Sequence, residues 1–294
     1  MNLYKSLIFI LYLGIFLGSG FRTPAQSRDS ITLYGTLDTV QVIRQRIQHA
    51  NEANAGARVT HISPAILQAN KTRSLAELLT DHTSIYIKSL GTGALSTASF
   101  RGTSASQTRV NWNGINITPP LSGTFDFSQI PVFFTDNINL YYGSSHVKNG
   151  TGAIGGSVNL FTDTDWNRGV NGRVLAEYGS YNTYTVGGQA NISGNKSASK
   201  TRLYYQHSDN DYTYLNKVLT NIPFREKRQD AAYSQFGIMQ EGYFRVSPYT
   251  RLTAVAWYQK NHRNLPQPLG VVNRSQEDQE ENNFRGYAGL DFSR

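Results

Sequence analysis

The stretch Thr183-Tyr-Thr-Val-Gly-Gly-Gln-Ala-Asn-Ile-Ser193 alternates between two kinds of side chain. In an extended chain, successive side chains point to opposite faces. One face is apolar or small, with Tyr184, Val186, Gly188, Ala190 and Ile192. The other carries Thr183, Thr185, Gly187, Gln189, Asn191 and Ser193. Such alternation over about ten residues is typical of a transmembrane β-strand around a wet lumen. A soluble sandwich would turn the same apolar face inward, so this strand alone leaves both architectures open.

The spacing of neighbouring strands favours the barrel. Long strands are predicted near 169–178, 183–193, 200–209, 232–246, 250–260 and 283–292. Their links are in turn short, short, long, short and long. If the first strand rises from the periplasm, both long links are extracellular, as in outer-membrane barrels. We therefore expect residues 166–294 to form the start of a transmembrane β-barrel.

The N-terminus has the pattern of a secretory signal. Lys5 precedes the apolar run Ser6–Gly18, which is too short to span a bilayer, and small residues follow at Thr23 and Ala25. We predict that residues 1–25 are cleaved, with an uncleaved membrane anchor as the alternative. The 294-residue chain has no cysteine, which excludes a lipid-modified cysteine at the junction, a disulfide framework and thiolate metal sites.

The composition and charge of the chain indicate its type of fold and whether nucleic acid is an expected partner. The chain has 18 Tyr and 26 Gly but only 16% charged residues, a profile that favours many short strands. Its formal charge is +8, yet the Lys and Arg residues are scattered and form no basic stripe. We therefore expect no nucleic-acid partner and interpret the charge as solvated loops.

Two zones precede the predicted barrel. Residues 26–58 are polar around an extended patch, Leu37–Ile43, and predict a mobile periplasmic arm. Residues 59–165 predict a compact α+β domain. Ser63 followed by Pro64 marks one helix start, and Ser74 with Glu77 has the spacing of a capping box. Short strands separated by Gly and Asn-Gly turns follow.

The α+β domain resembles the plug of the TonB-dependent outer-membrane receptors. The resemblance rests on five motifs that occur in the family's order: "SLAELL", "FRGTSASQTRV", "NGINI", "GTFDFSQIP" and "GAIGGSVNLFT". Within the family, "GTGALSTASFRGTSAS" is most similar to the branch of vitamin B12 receptors. The implied fold is an α+β plug followed by an incomplete antiparallel transmembrane β-barrel, with about six strands of a larger barrel.

The resemblance implies contacts between plug and barrel at Arg101, Gly102, Ser104 and Gln107, and also at Ser106 and Asn111. A guanidinium at Arg101 can hold carboxylates in a bidentate pair, whereas a surface Arg in a turn is the alternative. The family's second Arg before a Gly is replaced by Tyr142, which puts a second ionic contact in doubt. Lys148 is a candidate substitute.

The apical plug loops of this family meet the ligand, and they correspond here to residues 90–96 and 118–125. The implied ligand-binding residues are Leu90, Thr92, Leu95, Ser96, Thr118, Pro119, Leu121, Thr124 and Phe125. Trp112 fits either a ligand-stacking platform or the buried plug core, and we expect the core.

The arm carries a segment that resembles the family's TonB box, namely Leu37, Asp38, Thr39, Val40, Gln41 and Val42. Such a segment pairs its backbone with a sheet edge, so its sequence demands are loose. The implied partners are TonB with its inner-membrane partners ExbB and ExbD, outer-membrane lipid, and a small metal-chelate ligand.

An enzyme is not expected. The six histidines show no H-x-x-x-H or H-x-H spacing, and the chain has no G-x-S-x-G motif. We predict no catalytic residue, resident metal or cofactor. A secreted β-rich adhesin or binding protein without transport activity is the rival class, although it leaves the arm and the ordered plug motifs unexplained.

The sequence thus predicts a TonB-dependent receptor in the outer membrane, for energised uptake of cobalamin or a ferric siderophore. Receptors of this kind have 22-stranded barrels, whereas about six strands are predicted here. Two unpaired sheet edges cannot be satisfied in lipid. We therefore expect the chain to be a fragment, and residues 26–294 expressed alone to aggregate or fail to insert.

Overall fold

The computed structural model describes residues 58–143, 153–218, 223–266 and 277–292. Two short helices follow strand β1 (Arg58–His61): α1 (Pro64–Ala69) and α2 (Leu75–His82). Ser63 caps α1 with Pro64 at its first turn, and Ser74 and Glu77 form the capping box of α2. Both predicted helix starts are confirmed.

The plug is built on a five-stranded sheet in the order β1-β6-β7-β4-β5. Its strands after β1 are β4 (Thr108–Trp112), β5 (Ile115–Asn116), β6 (Asn137–Tyr142) and β7 (Gly156–Phe161). Only the β4–β7 pair is parallel. A separate hairpin joins β2 (Tyr86–Ser89) to β3 (Ser96–Ser99), and 3-10 turns form at Ala105–Gln107, Phe127–Gln129 and Val132–Phe134.

The plug core forms where α2 packs against the 3-10 turn Phe127–Gln129 and the β2–β3 hairpin. Leu75, Leu78 and Leu79 on one face of α2 are completely buried. They belong to the same buried cluster as Val110 of β4 and Val158 of β7. Burying an aliphatic side chain contributes about 1.5–3 kcal/mol, so this helix face is a main source of plug stability.

Six long strands, here called the wall, form an antiparallel sheet in sequence order except for an inserted hairpin. They are β8 (Gly169–Gly179), β9 (Thr183–Ser193), β10 (Ser197–Ser208), β13 (Tyr233–Ser247), β14 (Thr250–Leu265) and β15 (Glu277–Phe292). The described sheet is not closed: β8 and β15 are its edges. The predicted fold class, a plug followed by part of an antiparallel barrel, is confirmed.

The two faces of the wall differ as the alternation predicted. On β9, Thr185 is 1% exposed beneath the plug, whereas its neighbour Val186 is 50% exposed on the outer face. Outward-facing Val174 and Phe284 are also largely exposed. An apolar outer face and a polar inner face are the arrangement of a membrane barrel and the reverse of a sandwich. None of the described helices is long and apolar enough to cross a membrane.

Two features of the wall differ from the sequence prediction. The long link after β10 contains a hairpin of β11 (Thr213–Asn216) and β12 (Phe224–Lys227). In addition, β15 begins at Glu277 and β14 continues to Leu265, several residues beyond the predicted strands. The additional residues are mostly polar on both faces, so they lack the alternation from which the other strands were predicted.

Candidate functional site

The candidate site is the boundary between the plug and the wall. A single plug segment, residues 125–136, follows the inner face of the wall strands. Because opposite residues in adjacent strands share a face, the strand registers place inward side chains in rows across the wall. One such row is Gln206, Gln235, Asn261 and Glu281, and another is Lys200, Glu241, Val255 and Tyr287. The plug segment contacts these rows in turn.

At one end of the segment, Asp126 pairs with Arg263 of β14 at 2.8 Å. Its other oxygen accepts hydrogen bonds from the backbone N–H of Ser96 at 3.0 Å and of Ser128 at 3.1 Å. Arg263 also donates to Gln279 of β15. This carboxylate therefore joins the β2–β3 turn, a 3-10 turn and two wall strands.

Amide side chains continue the contact below Asp126. Gln129 donates to the carboxylate of Glu281 at 2.7 Å, and Gln259 donates to the Gln129 carbonyl at 3.1 Å. Gln235 donates to the Ser128 carbonyl at 2.8 Å. Charge-assisted and neutral hydrogen bonds thus fix the backbone of the 3-10 turn to three wall strands.

Aromatic rings fill the middle of the boundary. Trp112 of β4 is 1% exposed and packs on Trp257 at 5.2 Å and on Tyr287 at 5.5 Å between ring centroids. Phe134 packs on Trp257 at 5.3 Å. Trp112 is therefore a buried core residue, as expected, and the core that it joins is shared with the wall. Stacked aromatic pairs contribute about 0.5–1.5 kcal/mol beyond their buried area.

A wall glycine provides the space for one of these rings. A Cβ atom added at Gly237 of β13 would lie 2.6 Å from the Phe134 ring. Carbon atoms cannot approach that closely, so a larger residue would push the plug segment away from the wall. At the turn between β2 and β3, Gly93 has φ +69° and a Cβ atom there would overlap the Tyr233 ring.

At the other end of the segment lies a buried group of charges that we call the Asp136 cluster. It contains Asp136 and Lys71 of the plug and Lys200, Arg202 and Glu241 of the wall. One oxygen of Asp136 accepts from Lys200 at 2.9 Å and from Arg202. Arg202 also lies 3.2 Å from Glu241 and donates to the Phe133 carbonyl at 3.0 Å. Arg202 and Glu241 have no exposed side-chain surface.

The charges of the cluster shift the pKa values of its plug members. Burial acts to raise the pKa of Asp136, but the attraction of Arg202, Lys200 and Lys71 holds it well below its usual range. Burial lowers the pKa of Lys71 to about 8, and Asp136 only partly opposes this. Lys71 donates to the carbonyls of Val132 and Thr135, at the end of a 3-10 turn.

The predicted plug–barrel contacts lie on a different side of the plug. Arg101 is exposed, has φ +49° and lies 5.9 Å from the ring of Tyr142, which it shares with Arg58 at 5.3 Å. Gly102 is exposed with φ +76°. Ser104 and Gln107 cap one another across a 3-10 turn. Among described residues, their recorded contacts stay within the plug, so contact with a barrel remains a prediction.

Two further residues with a predicted barrel contact also have hydrogen-bond partners within the plug. Ser106 lies 2.7 Å from the hydroxyl of Ser104, and Asn111 donates to Asn159 of β7 at 2.9 Å. The TonB-box-like residues 37–42, the signal peptide and Lys148 lie outside the described residues, and their roles stay predictions.

The predicted ligand-binding residues divide into exposed and buried groups. Leu90, Thr92, Leu95 and Leu121 are exposed, and Leu121 is wholly so. Pro119 and Thr124 are half-buried. Ser96, Thr118 and Phe125 are buried: Thr118 accepts from the Val110 N–H at 3.2 Å, and Phe125 packs on Phe127. The buried three hold the loops in place, and ligand contact by the exposed side chains stays a prediction.

The first apical loop also borders an open cleft of about 160 Å³ between α2 and the wall. Its lining includes the Arg73–Asp81 ion pair of 2.7 Å, Glu77, Tyr233 and Gln235. Within the described residues no cluster of three or more His, Cys, Asp or Glu side chains could hold a metal ion.

The pairing of Asp126 and Asp136 with wall residues is not predicted from the sequence. The sequence does carry a signal on the wall side. Lys200, Arg202 and Glu241 are charged residues at inward positions of strands whose outer positions include Leu203, Phe236 and Ile238. Charged side chains on the inner face of a plugged barrel need counter-charges from the plug. Their identity depends on the packing and not on any local pattern.

The fold and the boundary define the class of protein: a plug held against the inner face of an outer-membrane type of barrel sheet. Residues 51–157 match the family described as TonB-dependent Receptor Plug Domain. Residues 51–157 are therefore a plug domain of that family, and the wall strands that follow them form part of an antiparallel barrel sheet.

Individual relatives agree with this assignment. The chain is 32% identical over 135 residues to the vitamin B12 transporter BtuB of Photobacterium profundum, covering 46% of this chain and 22% of that protein. It is 32% identical over 126 residues to BtuB of Vibrio cholerae serotype O1, covering 42% and 20%. The matched part thus spans about a fifth of those relatives.

Solved structures resemble the fold over more of the chain. The ferripyoverdine receptor of the Pseudomonas aeruginosa outer membrane, bound to ferripyoverdine, superposes with a TM-score of 0.61 at 15% identity. The superposition covers 81% of this chain and 32% of that receptor. The superposed part must include residues of both the plug and the wall, because neither the plug nor the wall by itself makes up 81% of this chain.

Proposed function

We propose that the protein is an outer-membrane receptor that imports an extracellular ligand with energy delivered through TonB. The single observation that carries the proposal is the plug docked against a wall whose inner face is polar and whose outer face is apolar. A secreted adhesin does not require a plug domain docked against the polar inner face of a barrel sheet. The relatives are transporters, and we propose no catalytic activity.

The proposed ligand is a metal chelate. The sequence relatives are vitamin B12 transporters, and the structural relative binds ferripyoverdine. A cobalamin or a ferric siderophore would meet the exposed side chains of the apical loops, which include Leu90, Leu95 and Leu121. Exposed leucines at fixed loops favour an apolar contact surface on the ligand. The chemistry of the loops does not distinguish the two ligands.

The proposed energy coupling uses the arm. After removal of residues 1–25, the segment 37–42 would pair with TonB in the periplasm, and TonB would act together with ExbB and ExbD. The strand-addition mode of binding requires only an accessible extended backbone, which suits the polar, Gly-poor arm. The remainder of the barrel would be supplied by further strands beyond the six described here.

Uptake by the full-length gene product tests the proposal. Cells that lack their own receptors would be supplied with labelled cobalamin or with a ferric siderophore, with and without TonB. We expect TonB-dependent uptake of one ligand class, abolished by deleting residues 37–42. Surface binding that is unaffected by TonB, without uptake of either ligand, would favour the adhesin instead.

A further inference from the structure

The wall by itself carries surplus positive charge beneath the plug. Lys200 and Arg202 face the lumen from β10 and are 6% and 0% exposed. Of the wall carboxylates that the structure describes, Glu241 alone is paired with them, at 3.9 Å from Lys200 and 3.2 Å from Arg202. Glu241 also accepts from the Tyr243 hydroxyl at 2.9 Å. One carboxylate cannot neutralise two buried cations, and an unpaired buried cation is strongly unfavourable.

Asp136 of the plug supplies the missing negative charge. A single carboxylate oxygen accepts from Lys200 at 2.9 Å, from Arg202, and from the backbone N–H of Asp163 at 2.9 Å. The side chain is 23% exposed. Water can therefore reach part of the carboxylate but not the cations behind it, so no solvent anion can take its place while the plug is docked.

Neighbouring plug groups hold Asp136 in this position. Lys71 binds the carbonyls of Val132 and Thr135, immediately before Asp136 in the chain. Arg202 in turn binds the Phe133 carbonyl at 3.0 Å. The segment is thus fixed from both sides, and its carboxylate cannot turn away without breaking these contacts.

We propose that Asp136 is the positioning residue that fastens the plug to the wall, because its carboxylate neutralises the surplus wall cation of the Lys200–Arg202 pair. Docking of segment 125–136 without this carboxylate would bury a wall cation that has no partner, so the charge of Asp136 favours the docked state. The inference goes beyond the proposed import activity: it concerns docking of the plug and stands whether or not the ligand is a metal chelate.

A cysteine reporter can measure docking directly, because these 294 residues contain no cysteine and any cysteine in the further barrel strands can be replaced by serine. Met239 of β13 lies opposite Arg202 in the strand register and is completely buried beneath the plug. In the native membrane-embedded protein, a Met239→Cys residue reacts with a maleimide only when the plug leaves the wall. We expect Asp136→Asn to increase the labelling rate at least about tenfold.

The matched control is Asp165→Asn, which removes a carboxylate from an exposed ion pair with Arg168. Labelling should then stay within about twofold of the reporter protein alone. Equal rates for Asp136→Asn and Asp165→Asn would overturn the proposal.

A second substitution distinguishes the effect of the unpaired cation from a general loss of folded structure. Lys200→Met in the Asp136→Asn background removes the surplus cation and leaves Arg202 with Glu241. We expect the labelling rate to return most of the way to that of the reporter protein. If the double variant labels as fast as Asp136→Asn alone, or if both variants are simply unfolded, surplus charge is not what fastens the plug and the proposal fails.

Discussion

Asp126 of the plug and Arg263 of the wall form an ion pair of 2.8 Å although they are 137 residues apart, and their side chains are only 11% and 13% exposed. The same carboxylate organises two apical elements through the N–H groups of Ser96 and Ser128. A change in the position of this pair therefore alters the proposed ligand-facing loops and the wall contact together. The pair couples the proposed binding surface to the barrel.

Asp126→Asn removes the charge of this pair and keeps an acceptor for Ser96. Because a largely buried Arg263 then lacks its counter-charge, we expect the free energy of unfolding to fall by about 2 kcal/mol. Denaturant unfolding followed by tryptophan fluorescence measures this, since Trp112 and Trp257 are in contact across the plug–wall boundary. In the control, Asp165→Asn, the change should be below about 0.5 kcal/mol, because that pair is exposed. Equal losses in both variants would contradict a special role for Asp126.

The wall strands could be predicted because a strand between lipid and a wet lumen must alternate. Tyr184, Val186 and Ile192 point outward with 37%, 50% and 51% of their surface exposed, as the alternation required. The pattern failed at residues 277–282, which are polar on both faces and form the beginning of β15. A strand end that leaves the apolar layer needs no apolar face, so it has no such signal.

The site could be predicted less well because its pairings are made by packing. The motif around Arg101 was visible in the sequence, yet its described contacts are with Tyr142 and not with a wall carboxylate. Asp126 lies inside the motif "GTFDFSQIP" and Asp136 just after it, but their partners are about 65 to 137 residues away. No local periodicity links residues that far apart in the chain.

Gly237→Ala tests whether the wall glycine is required for the plug aromatic. The added Cβ would lie 2.6 Å from the Phe134 ring, and the resulting overlap is expected to destabilise docking by about 1–3 kcal/mol. Thermal unfolding in detergent measures the loss. Gly188→Ala on β9 is the matched control, since nothing lies within 4 Å of its added Cβ.

The double variant Gly237→Ala with Phe134→Leu distinguishes overlap from a change in strand preference. A smaller side chain at residue 134 gives the new methyl group room, so the double variant should be more stable than expected from adding the two single effects. Additive losses would mean that Gly237 is needed for the backbone and not for the ring.

Trp112 offers a test of what its indole contributes. Its N–H finds no hydrogen-bond acceptor among the described residues, although the ring is packed on Trp257 and Tyr287. Trp112→Phe keeps most of the packing and removes an unpaired buried donor, so we expect a loss below about 1 kcal/mol. Trp112→Ala should cost about 3–5 kcal/mol. Unfolding measured by circular dichroism compares the two, and a similar loss in both would show that the N–H is needed.

Lys71 gives the plug a pH dependence whose sign follows from its pKa. Burial, opposed by Asp136 and reinforced by Arg202, Arg173 and Lys200, lowers this pKa from 10.5 to about 8. Between those values the unfolded chain binds a proton that the folded chain does not, so stability rises with pH. From pH 8 to 10 we expect an increase on the order of 1 kcal/mol per pH unit from this residue. Below pH 8 both states bind the proton and the contribution is constant.

Lys71→Met should remove that increase, because methionine fills the same space without a titrating group. The measurement is the difference in unfolding free energy between the native protein and the variant at pH 7.5 and at pH 9.5, so that other titrating groups cancel. Lys88→Met on β2 is the matched control, since Lys88 is an exposed lysine outside the Asp136 cluster. If the Lys71→Met difference were also independent of pH, Lys71 would keep its ordinary protonation in the folded plug, and its burial beside the Asp136 cluster would carry no electrostatic cost.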